Sequence, residues 1–150
     1  MMRQYIPRGD AVLSYLATEP GASVHAGTVV FLHAFPLDAD MWMPQLAAPP
    51  DGWRFVAPDL RGFGESRGPG RDGQASPSLD EHVGDILALL DALRVETPVV
   101  AGLSMGGYAA LALARRARDR VRGLVLADTR PDADSAAARA GRERTLEALS

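Results

Sequence analysis

Pro98-Val99-Val100-Ala101-Gly102-Leu103-Ser104-Met105-Gly106-Gly107 is the stretch on which the reading of this chain turns. The apolar run from Val99 to Leu103 has the length of a short buried strand. The alanine- and leucine-rich stretch from Tyr108 to Ala117 reads as a helix. Between them Ser104 stands at the apex of a tight turn, with Gly102 and Gly106 flanking it as Gly-x-Ser-x-Gly. A serine on so sharp a turn holds a strained backbone. Side chains two residues to either side would collide, so both positions call for glycine. The turn lifts the hydroxyl clear of the sheet and sets it at a helix N-terminus, where backbone N–H groups stabilise negative charge. The spacing alone is a weak signal, because glycine and serine are common in turns. The strand before and the helix after it make Ser104 a candidate nucleophile.

Upstream, Thr28-Val29-Val30-Phe31-Leu32 is a continuous apolar run, as expected of a strand buried on both faces. It ends in His33-Ala34-Phe35-Pro36-Leu37, a loop at the carboxyl end of a buried strand, where open α/β sheets place ligand groups. Asp38 to Leu46 follows as a short helix, with Trp42 and Leu46 on one face. Trp53 to Ala57 is the next strand and stops at Pro58. The segment Asp59-Leu60-Arg61-Gly62-Phe63-Gly64-Glu65-Ser66 mixes opposite charges with two glycines and reads as an ordered, strongly turned loop. Arg67 to Ser76 is glycine-rich and polar, which predicts a mobile loop. Ser78-Leu79-Asp80-Glu81 carries a capping box, with Ser78 as N-cap. Val83, Ile86, Leu87, Leu90 and Leu93 continue it as one apolar helix face. His82 lies off that stripe and is expected at the solvated surface.

Nearer the N-terminus, Arg3 to Ile6 and Ala11 to Ala17 read as two strands around the turn cluster Pro7-Arg8-Gly9-Asp10. His25 falls in a loop and is expected to be solvent-exposed. Downstream, the arginines between Arg115 and Arg122 complement the end of the Ser104 helix. Val121 to Ala127 is another strand, closing at Asp128. Ala133 to Leu149 favours helix by its alanine, arginine and glutamate content. Two strands followed by strand–helix repeats predict an α/β protein with a mostly parallel, twisted sheet and flanking helices.

The bulk numbers bound the function. A chain of 150 residues, 47% hydrophobic and 23% charged, makes at most one domain with a real core. Its net charge of −3 and lack of a basic patch argue against nucleic acid. Cysteine is absent, which excludes disulfides and cysteine-ligated metal. No signal-peptide pattern and no apolar run near about 18 residues is present, so no membrane span is expected and a cytoplasmic location is the default.

Four segments occur in one order at sensible distances: His33 to Leu37, Asp59 to Ser66, Gly102 to Gly107, and Leu124-Val125-Leu126-Ala127-Asp128-Thr129-Arg130. Together they resemble the N-terminal half of an α/β-hydrolase-fold enzyme, and most of all the small bacterial esterases, enol-lactonases and cofactor-free haloperoxidases. The resemblance implies a partial α/β-hydrolase domain over residues 1–150 that lacks the C-terminal strands of that fold. It makes 133–150 the possible start of a cap region. It also implies Ser104 as nucleophile, the backbone N–H groups of Met105 and Phe35 as oxyanion hole, and no cofactor or metal. The substrate would be a small acyl compound: an ester, lactone or thioester. An aspartate in place of Ser104 would have suggested epoxide or haloalkane substrates. His33-Ala34 stands where the family usually has His-Gly. His33 is expected to shape the oxyanion loop, and Asp59 and Arg61 to hold their own loop by hydrogen bonds.

In this family the acid and then the histidine of the triad follow the serine. Here His25, His33 and His82 all precede Ser104. Asp128 is a candidate acid at a strand end, where a plain capping aspartate is the other reading. Two functional readings stay open: a serine hydrolase that is incomplete in this chain, or a non-catalytic remnant or binding module of the same fold. Val121 to Ala127 would then be a long apolar edge strand, which predicts a homodimer, aggregation or completion by a second chain.

Overall fold

The computed structural model describes residues 2–18, 26–68 and 77–149. His25 and most of the glycine-rich loop expected between Arg67 and Ser76 lie outside the described residues. Strands β1 (Gln4–Arg8) and β2 (Ala11–Ala17) form an antiparallel hairpin that turns at Gly9-Asp10. β3 (Gly27–Leu32), β4 (Trp53–Pro58), β5 (Val99–Leu103) and β6 (Gly123–Ala127) are mutually parallel. The six strands lie in the order β1-β2-β4-β3-β5-β6, with β2 antiparallel to β4. This is a mostly parallel mixed α/β sheet, as the resemblance implied, and the central parallel strands are the apolar runs of the sequence.

Alternation along the strands splits the core into two layers. On one face Val30, Leu32, Val56 and Val100 pack against α2 (Leu79–Ala92) and α3 (Met105–Arg116), through Val83, Ile86, Leu90, Ala109, Ala110 and Leu113. On the other face Phe31, Ala57 and Ala101 meet Leu16, Ala39 and Leu46, with the Trp42 ring tilted by 40° against Phe31 at 5.0 Å between centroids. Each fully buried leucine, valine or isoleucine contributes roughly 1.5–3 kcal/mol of hydrophobic stabilisation.

The helix expected over Asp38 to Leu46 is a 3₁₀ turn (Ala39–Trp42), capped by the Asp38 carboxylate, running into the single α-turn α1 (Met43–Leu46). The capping box of α2 is present as expected: Glu81 N–H donates to Ser78 Oγ, and Ser78 N–H donates to the Glu81 carboxylate. After a 3₁₀ turn at Arg118–Arg120 and strand β6, α4 (Ala136–Leu149) closes the described chain.

His82 corrects an expectation. It is 4% exposed, because the buried arc of α2 is wider than its aliphatic stripe: His82, Val83, Asp85, Ile86, Leu89 and Leu90 are all buried. Arg61, from the loop after β4, forms a bidentate pair with Asp85 at 2.7 and 2.8 Å. That loop therefore covers a flank of α2 which a count of apolar residues leaves to solvent.

Candidate active site

The β5–α3 junction is built by close backbone packing. Ser104 has φ 51° and ψ −111°, a conformation that costs a non-glycine residue about 1–3 kcal/mol. A Cβ on Gly102 would lie closer than 3.0 Å to the backbone of Gly106 and Gly107. One on Gly106 would lie as close to the backbone of Leu32 and 2.8 Å from the His33 carbonyl oxygen. Both glycines are there so that the first turn of α3 can seat on the ends of β5 and β3. The segment after β6 backs the turn: Ser104 N–H donates to the Ala127 carbonyl, and Thr129 Oγ1–H donates to the Ser104 carbonyl.

Ser104 opens into a pocket of about 420 Å³ that it shares with Phe35, Met105, Tyr108, Arg142 and Thr145. The β3 loop and the start of α3 thus bring together three residues singled out in the sequence. Met105 is the first residue of α3, so its N–H has no intrahelical acceptor. The Phe35–Pro36 peptide bond is cis. Asp128 does not line this pocket. It is exposed, at φ 44°, just past β6.

Tyr108, Arg142 and Thr145 were not singled out in the sequence. Tyr108 could have been, since it lies four residues after Ser104 on the same helix face. Arg142 and Thr145 come from α4. Arg142 is held there by Asp134 at 2.6 Å and donates to Tyr108 Oη at 3.3 Å.

His33 is fully buried, and both ring nitrogens are engaged. Nε2 accepts the Leu60 N–H at 2.9 Å, so the proton sits on Nδ1, which donates to the Ala34 carbonyl at 3.0 Å. The ring shapes the loop that carries Phe35, as expected, and ties it to the loop after β4. In that second loop Asp59, 1% exposed, accepts N–H groups from Ala39 and Glu65 at 2.8 Å, the Ser14 hydroxyl and the Arg3 guanidinium. Asp59 and Arg61 are therefore loop-holding residues, also as expected. Among the described residues no group of three or more histidine or acidic side chains could hold a metal ion. None of their helices is long and apolar enough to cross a membrane.

Burial lowers the pKa of both His33 and His82; the hydrogen bond to the Ala34 carbonyl, then Asp59 and Asp38, offset this only in part at His33, and Asp85 and Glu81 only in part at His82. A histidine whose folded pKa lies below the unfolded value near 6.5 takes up its proton more readily in the unfolded chain. Stability is then full above that value and falls as pH drops through it. The urea midpoint is expected to fall between about pH 7.5 and about pH 5.5. The fall should be smaller in His82→Gln, whose site no longer titrates. An unchanged slope would remove His82 from the acid response.

Comparison with known proteins bears on the family and the fold. The family model described as alpha/beta hydrolase fold matches residues 27–146. The chain is 35% identical over 96 residues to 3-oxoadipate enol-lactonase 1 of Acinetobacter baylyi, across 64% of this chain and 34% of that protein. It is 36% identical over 95 residues to an epoxide hydrolase of Caballeronia sordidicola, across 63% of this chain and 27% of that protein. Among solved structures, a thermophilic esterase from Thermogutta terrifontis superposes with a TM-score of 0.82 at 35% identity. That match covers 99% of this chain and 53% of the esterase. The chain spans 34% and 27% of these two curated relatives and about half of that structure.

Proposed function

We propose, since the chain belongs to the alpha/beta hydrolase fold family, that Ser104 is the nucleophile of an acyl-transfer site acting on carboxylic esters, lactones or thioesters. The observation that carries this reading is the half-buried turn at Ser104, held at φ 51° by glycine contacts and opening into a pocket with Phe35 and Met105. The relatives are hydrolases of several kinds, and a serine at this turn, rather than an aspartate, favours acyl chemistry over epoxide opening. In the proposed reaction Ser104 Oγ attacks the substrate carbonyl carbon as a base takes its proton. The N–H groups of Met105 and Phe35 hold the oxyanion, each donor contributing roughly 3 kcal/mol. The leaving oxygen or sulfur departs with the proton, and water then hydrolyses the acyl-serine. Helix α4, which places Arg142 and Thr145 over the pocket, would begin a cap that shapes the substrate's approach.

No histidine follows Ser104, and among the described residues none is free to act as its base: His33 is committed on both nitrogens, and His82 is buried in α2. We assign the base to a residue outside those described. A non-catalytic binding role is the second reading, and the same lack of a histidine favours it. Supplying a base in solution separates the two. With p-nitrophenyl acetate, added imidazole is expected to raise hydrolysis by the chain above that by Ser104→Ala at equal imidazole. Equal rates for the two proteins would favour the binding role.

A further inference from the structure

The amino ends of the parallel strands, opposite Ser104, carry a second pocket of about 470 Å³. It lies between the starts of β3 and β4 and the end of α2. Thr28 and Arg54 face each other across β3 and β4. The next pair in that file, Val30 and Val56, is fully buried under α2 and α3. Arg54 therefore stands where the apolar file runs out, on the face of the sheet that the helices cover. Arg94, just past α2, and Arg122, just before β6, join it in the pocket. Arg54 Nη1 donates to the Leu93 carbonyl at 3.4 Å and Arg122 Nη1 to the Ala26 carbonyl at 3.0 Å, which holds both side chains in place. Arg54 Nε is buried and has no hydrogen-bond partner among the described residues. None of the three arginines forms an ion pair among those residues. A buried N–H without an acceptor is costly, and three guanidinium groups around one pocket repel one another. An anion in the pocket relieves the repulsion and brings acceptors to the guanidinium of Arg54.

We propose that this pocket binds a phosphate dianion, free or as the monoester of a small molecule. The charges match. Three arginines against Glu96, the acid that lines the pocket among the described residues, leave two positive charges. A phosphate monoester carries about −1.5 to −2 at pH 7. The planar guanidinium fork donates paired N–H groups to two phosphate oxygens, and Thr28 and Thr97 add hydroxyls for a third. Arg94 stands at φ 55°, in a position past a helix end that glycine or asparagine usually fills. The pocket is several times larger than a phosphate group, which leaves room for the organic part of an ester. A concave site on a chain of net charge −3 suits a single phosphate better than a polyanion. All the residues that line it precede β6, and none of them belongs to the Ser104 pocket, so the inference is independent of the acyl chemistry.

The test is calorimetric titration of the 150-residue chain with inorganic phosphate and, separately, with glycerol 3-phosphate, at constant ionic strength. Saturable binding of at least one of them is expected, with none of chloride or acetate. Tighter binding of the ester identifies the source as a phosphorylated small molecule, and tighter binding of the inorganic ion identifies it as free phosphate. Arg54→Gln and Arg94→Gln should each weaken binding by about tenfold or more, and Glu96→Gln should tighten it. Arg139→Gln removes the same charge from α4, outside the pocket, and should bind as the parent does. Circular dichroism verifies that each variant is folded. Arg94 is exposed and its side chain makes no hydrogen bond among the described residues, so its variant reads the site even where Arg54→Gln unfolds. The absence of saturable binding by either phosphate would overturn the proposal. An affinity unchanged in Arg94→Gln, or lowered equally in Arg139→Gln, would overturn it as well.

Discussion

Gly106→Ala is expected to destabilise the folded chain by about 3 kcal/mol or more, by the rule for overpacking against atoms that cannot move aside. The new methyl would press on the backbone of Leu32 and His33 at the end of β3, both fully buried. No rotamer relieves a contact between backbone segments, so α3 would have to lift from the sheet and carry Ser104 with it. Gly84→Ala is the matched control. A Cβ there meets only the flexible end of Arg8, at 3.4 Å, in the middle of α2. Removing a helical glycine should stabilise by about 0.5–1 kcal/mol. Urea denaturation of the two variants reads both signs. A Gly106→Ala protein as stable as its parent would mean that α3 does not seat as described.

Asp59→Asn is the second large effect, with an expected loss of about 3–5 kcal/mol, as for a buried charge pair deprived of one partner. One carboxylate oxygen accepts the Ala39 N–H, and the other accepts Glu65 N–H, the Ser14 hydroxyl and Arg3. Asparagine offers one oxygen and one NH₂. In either orientation an N–H faces another donor, and the Arg3 charge loses its counterion at the buried end. The same site shapes the acid limb of stability. Burial raises the Asp59 pKa, but the hydrogen bonds from Ser14, Glu65, Ala39 and Arg3 outweigh it, and the folded value lies below 3.8. Its contribution is present above the unfolded value and is lost as pH falls through the folded one. Acid unfolding of the parent below about pH 4 should therefore be steeper than that of Asp59→Asn. Parallel acid limbs would show that the loop does not depend on this carboxylate.

What could be read in advance follows from the range of the forces involved. β3 and β5 are strands buried on both faces, so their apolar runs announced them, and the capping box of α2 is a contact between residues three apart. Gly102 was legible because its cause, the crowding of one turn against Gly106 and Gly107, is local, whereas Gly106 answers to the backbone of Leu32 and His33 at the end of β3. Asp59 is a different case. Its loop role could be expected, but not its link to Arg3, 56 residues away, nor to Ser14 on β2. His82 was misplaced for the same reason. Apolar periodicity counts what the sheet covers and misses what a charged loop covers through Arg61 and Asp85. Arg142 and Thr145 joined the pocket only through the position of α4, a helix with no strong apolar stripe to announce its docking face.

The central claim is that Ser104 is a working nucleophile set in an oxyanion-binding turn, with its base outside the described residues. Intact-mass spectrometry after treatment with a fluorophosphonate, with imidazole present as external base, tests it most directly. The expected result is a single adduct per chain that is absent from Ser104→Ala. A folded chain that gains no adduct, or an adduct that persists in Ser104→Ala, would contradict it.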